Sequence, residues 1–136
     1  MGRKQAREGA MKLLFQMELN KDFSDEALNV FLDNFTFDEM ETKYIKESIY
    51  CIKENLDAID NYIENNLEGW AIYRLAKVDL AVLRIAIYEI LYRKDIPIEV
   101  SINEAIEIVK KFSNEDAFKF INGVLGGFVR SLDKDE

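Results

Sequence analysis

The chain has 136 residues, about one domain's worth, and 49% of them are hydrophobic, which excludes a disordered chain. With no histidine and a single cysteine, Cys51, it lacks the commonest general base and the commonest metal ligand, and it cannot form an internal disulfide. Basic residues number 18 and acidic ones 26, for a net charge of −8, yet Arg3, Lys4, Arg7 and Lys12 stand against Glu8 alone in the first twelve positions.

A basic end on an acidic body is the electrostatic footprint of an anionic partner. The spacing predicts a first helix from about Arg3 to Leu19, with Ala6, Ala10, Leu13, Leu14 and Met17 as its buried stripe. Arg3, Arg7, Met11 and Phe15 form a separate row four residues apart, which swings Phe15 nearly opposite the stripe. The ring there either meets a neighbouring helix or anchors a partner.

Ser24 is expected to cap a short helix to about Asn34, with Asp25 and Glu26 favourable to the dipole in its first turn. Thr36 and Glu39 have the spacing of a capping box. From there one long helix, about 40 Å in length, is expected to reach Leu67, its seam made by Ile45, Ile49, Ile52, Leu56, Ile59 and Ile63. Cys51 faces away from that seam, without a chemical partner. Gly69 is a natural stop, and the link to Lys77 reads as a short helix in which Trp70 plugs the junction of two lobes.

The stretch Val78–Arg93 is the one around which the rest is arranged. Leu80, Leu83, Ala86, Ile87, Ile90 and Leu91 share one side of it, while Ala81, Val82 and Ile85 cover most of the other. A helix apolar nearly all round belongs inside a bundle or a membrane. Arg84 and Glu89 argue against the membrane, and no uncharged apolar run of the needed length exists. Asp79 opens this helix as a cap or first-turn acid.

Pro97 stops the chain, and Ser101 with Glu104 repeats the capping-box spacing before a stripe of Ile102, Ala105, Ile106 and Val109. Ser113 and Asp116 read as a further cap. The last helix is expected to bury Ala117, Phe120, Ile121, Val124 and Phe128, with Gly126–Gly127 either allowing close packing or fraying it. The tail after Leu132 is charged and expected to be mobile.

The reading is an all-α fold of about seven helices in two small helical subdomains sharing a core, residues 1–68 and 69–136. No strand pattern competes with it. Carboxylates on acidic helices are ordinarily solvated faces, so no catalytic residue, metal site or cofactor is expected. No targeting or lipidation pattern opens the chain, which is expected to be cytoplasmic. Function cannot be read from a helical bundle as such.

The runs WAIYRLAKVDLAVLRIAIYEI, DIPIEVSINEAIEIVKKF and FKFINGVLGGF, with the opening RKQAREGAMKLLFQME, resemble the NusB family of transcription antitermination and ribosomal-RNA processing factors. The resemblance covers most of the chain, though residues 20–68 match only in pattern. It implies a non-catalytic RNA binder that pairs with NusE, the small-subunit ribosomal protein ten, to bind boxA single-stranded RNA and join the RNA polymerase antitermination complex. It puts Arg3, Lys4 and Arg7 on RNA phosphates, and Lys12 completes that basic set. Phe15 and Asp79 match positions at the NusE contact, and Asp116 one near the shared RNA–partner surface. Phe120 is carried over with them, although its phase also suits the core.

The basic segment is thinner than the arginine runs of some relatives, and NGVLGG stands where an acidic residue often follows NGVL. Two other readings stay open: a protein-only helical adaptor, and a stand-alone relative of the RNA-binding module of an rRNA cytosine methyltransferase. Self-association into a homodimer, which some relatives show, is left undecided.

Overall fold

The computed structural model describes residues 2–69, 71–114 and 116–135, with the side chains of 2 and 133–135 excepted. Among these there is no strand, and seven α-helices follow one another: α1 (Gly2–Asn20), α2 (Asp25–Asn34), α3 (Glu39–Glu54), α4 (Leu56–Glu64), α5 (Lys77–Tyr92), α6 (Ile98–Phe112) and α7 (Ala117–Asp135). A single 3-10 turn, Ile72–Arg74, lies in the link before α5. The role expected of Trp70 falls outside the described residues.

Every residue of α5 from Asp79 to Ile90 is buried, as an all-round apolar helix requires. α1 and α3 pack on it from the N-terminal half, α6 and α7 from the C-terminal half, and α4 closes the side between them. One continuous set of buried side chains runs from Ala6 in α1 to Phe128 in α7. No helix among the described residues is long and apolar enough to cross a membrane.

Local chemistry sets most boundaries. The Ser24 hydroxyl accepts from the Ala27 amide at 3.2 Å, so α2 begins where its cap predicts. The capping box of α3 is Asp38 with Glu41, both bonds at 2.8 Å, rather than Thr36 with Glu39. The expected long helix breaks at Asn55, whose side-chain amide turns back to the Cys51 carbonyl at 2.8 Å while its backbone leaves the helical region. That local bond is the alternative asparagine offers to helix continuation.

Ser101 is no cap either. α6 starts at Ile98, directly after Pro97, and Ser101 lies buried inside it. Ser113 closes α6 instead of opening α7, and Asn114 takes the turn, its Oδ1 accepting from the Asp116 amide at 3.1 Å.

Helix α7 runs unbroken through Gly126–Gly127 and on to Asp135, so the charged end prolongs it. A Cβ on Gly127 would stand 2.3 Å from Asn66 Oδ1, so close approach of the α4 exit is what this glycine allows. Gly69 has φ +75°, the left-handed conformation that ends the chain's run out of α4.

Candidate nucleic-acid interface

Helices α1 and α5 lie antiparallel, fastened by ion pairs at both ends. Toward the start of α1, Arg7 Nε donates to Glu89 Oε2 at 2.7 Å and Nη2 to Oε1 at 3.1 Å. Glu89 also accepts from the Ser101 hydroxyl at 2.8 Å and from the Tyr44 hydroxyl. Its carboxylate thus joins α1, α3 and α6 to α5 and is 1% exposed. Burial together with the neighbouring Glu89 charge drives the Tyr44 phenol well up, which keeps it a neutral donor.

At the other end, Arg84 makes a two-pronged bond to Asp60 of α4 at 2.9 and 2.8 Å and reaches Glu18 of α1 at 2.8 Å. Arg84 and Glu89, two of the three buried charged residues of α5, are therefore fully engaged within the protein. Burial alone would lower the Arg84 guanidinium, but its bonds to Asp60 and Glu18 outweigh it and raise it.

The four cations expected on RNA separate accordingly. Arg7 is 5% exposed, and Glu104 of α6 stands 3.6 Å from its remaining nitrogen. A guanidinium enclosed in that way is a structural strut, and its expected place on phosphate is corrected. It lies on the α1 face that meets α5, a side-chain direction the row of four-residue steps did not reveal. Arg3, Lys4 and Lys12 are exposed. Arg3 sits 3.6 Å from Asp95, an exposed carboxylate that Arg93 already holds at 3.0 Å. Lys12 places its ammonium 5.3 Å from the centre of the Phe112 ring.

The four partner candidates differ in burial. Phe15, one turn beyond Lys12 along α1, is half-buried and has no part in the core among the described residues. Asp79, at the start of α5, is 8% exposed, and its Oδ1 has no hydrogen-bond partner among the described residues. Burial pushes its carboxyl up, only partly opposed by the Ser113 hydroxyl that follows Phe112. Asp116 is exposed two residues beyond Asn114. Phe120 is half-buried and packs against the core, as its phase suggested, which sets it apart from the other three.

An unpartnered carboxylate oxygen kept from water costs stability unless something pairs with it. A half-exposed ring and exposed cations make a surface fit for a large polar partner. Among the described residues no group of side chains is arranged to hold a metal ion.

Two features of this surface escaped the sequence. The tie of Arg7 to Glu89 is signalled only by an acid within a largely apolar helix. Lys110 and Lys111 are both exposed at the end of α6, and the run VKKF is their only signal in the sequence.

Comparison with known proteins bears on what such a surface serves. A model of the NusB family matches residues 4–130. The transcription antitermination protein NusB of Ruminiclostridium cellulolyticum is 50% identical over 125 residues, which cover 92% of this chain and 86% of that protein. The solved structure of T. maritima NusB superposes with a TM-score of 0.87 at 40% identity, covering 96% of this chain and 92% of that one. A structure described as antitermination factors NusB and NusE in complex with dsRNA matches with a TM-score of 0.85 at 27% identity, over 95% of this chain and 96% of that one.

Proposed function

The chain belongs to the NusB family, and from that premise we propose that it acts as a transcription antitermination factor which pairs with NusE and binds boxA-type RNA. On this reading the pair joins the RNA polymerase antitermination complex and supports transcription of ribosomal RNA, without catalysing a reaction. The observation that carries it is the exposed cationic face of α1, Lys4 and Lys12, beside a Phe15 ring that the core does not claim.

The division of labour follows from magnitudes. For single strands the salt slope is about −0.7 per phosphate neutralised, so Arg3, Lys4 and Lys12 together give only about −2. Such a grip is weak and tolerant of sequence. Reading a single strand needs bases stacked on aromatic rings and bonded along their edges. NusE supplies the added surface, and Phe15 with Asp79 and Asp116 recruits it.

The test is a titration of boxA-type RNA against the protein, with and without NusE, at two salt concentrations. Binding that tightens with NusE and weakens with salt is expected. Equal affinity in both arms removes NusE from the mechanism. Absence of RNA binding in both arms favours the protein-only adaptor.

A further inference from the structure

The end of α6 carries a lysine cluster that the family resemblance did not assign. Lys111 Nζ lies 5.1 Å from the centre of the same Phe112 ring that Lys12 approaches at 5.3 Å, so two ammoniums from different helices share one aromatic side chain. Beside them Lys110 Nζ lies 5.0 Å from the Phe118 ring of α7. A groove of about 320 Å³ runs between α1 and α6, lined by Lys4, Glu8, Glu107, Ile108, Lys110 and Lys111.

Like charges on one ring repel, and the ring's negative face offsets that only in part. A bridging anion relieves the repulsion and keeps the geometry. Glu8 does part of this already, holding Lys111 at 3.1 and 3.2 Å, but Glu8 is itself largely buried and tied in place. Lys12 and Lys110 have no carboxylate partner among the described residues. On a chain of net charge −8, this concentration of cations continues the α1 face directly.

We propose that Lys110 and Lys111, with Lys12, form a phosphate track for single-stranded RNA along the α1–α6 groove, taking the place in the cationic set from which Arg7 is withdrawn. The proposal rests on the RNA-binding function proposed above and names further residues of that site. Phe112 acts as the spacer that keeps two of the three ammoniums presented together.

The experiment measures boxA-type RNA binding to the protein–NusE pair by fluorescence anisotropy across a salt series. For the Lys110→Gln, Lys111→Gln double variant, several-fold weaker binding is expected, with a salt slope shallower by about 1.4. Replacement of both by arginine keeps the slope. Glu8→Gln frees Lys111 and tightens binding, and it supplies an independent reading should the double variant fail to melt cooperatively.

A Lys4→Gln, Lys12→Gln variant separates the two levels of failure. If that variant weakens binding while the α6 variant keeps the wild-type slope, the track is overturned and the function stands. If the unsubstituted pair does not bind the RNA, both fall. If the α6 variant loses affinity for NusE without RNA present, the cluster is a protein contact and the track is likewise overturned.

Discussion

Glu89 accepts hydrogen bonds from Arg7, Tyr44 and Ser101 in a site closed to water. Removing one member of such a buried pair leaves the other charge stranded, which costs more than the pair is worth. Glu89→Ala is therefore expected to lower the unfolding free energy by about 3–5 kcal/mol, measured by urea denaturation. A loss below about 1 kcal/mol means that the network is solvated. Asp79 behaves in the opposite sense. Its folded-state carboxyl lies above the ordinary aspartate value because burial disfavours the charge. The folded chain then binds the proton more tightly, so this residue's contribution falls as pH rises above about 4. Comparing urea midpoints of the wild type and Asp79→Asn across that range, the wild type should lose ground on the variant as pH increases. A constant difference would mean that the carboxylate is already paired or hydrated.

Two glycines of α7 make a matched pair at the scale of one helix. Gly127→Ala drives a methyl group into Asn66 and is expected to destabilise, by about 1–3 kcal/mol. Gly123 has open space where a Cβ would go and helical backbone around it, so Gly123→Ala is expected to stabilise by up to about 1 kcal/mol. Thermal melting of both variants checks the pair, and equal signs would refute the packing assigned to Gly127. The same scale shows what the sequence makes legible. The all-round apolar run of α5 and the Ser24 cap announce themselves, because periodicity and capping are local. The choice between Thr36–Glu39 and Asp38–Glu41 is not local, since both spacings satisfy the rule and docking of α3 decides. Asn55 hides inside an unbroken isoleucine seam that survives the break. Ser101 and Arg7 carry the wrong expectation for one reason: each turns its polar end toward Glu89, and nothing near either in sequence says so. That Lys4 and Lys12 are exposed is legible because the buried stripe of α1 leaves them outside it.

Across the whole molecule, the fastening of α1 to α4 and α5 sets the response to acid. Burial pushes Glu18 up, but hydrogen bonds from Lys21 and Arg84 outweigh it and hold the carboxyl at about 2, below its ordinary 4.5. A depressed carboxylate gives stability that is complete above the ordinary value and lost as pH falls toward the folded one. Between about pH 4.5 and 2 the protein should lose on the order of 2 kcal/mol through this group, once solvent screening of the partly exposed carboxylate is discounted. Glu18→Gln should lack that loss while being less stable at neutral pH. Parallel acid titrations by circular dichroism test this, and superimposable curves would refute it.

The partners of Arg7 also bear on how the protein is made. Its carboxylate stands 82 positions downstream, and Glu104, the second acid beside it, later still. At translation rates of about 5–20 residues per second, roughly 4–16 s pass between synthesis of the basic helix and synthesis of its buried counter-charge. On the ribosome α1 thus emerges well before its buried counter-charge exists, and until then Arg7 is as free as Lys4 and Lys12.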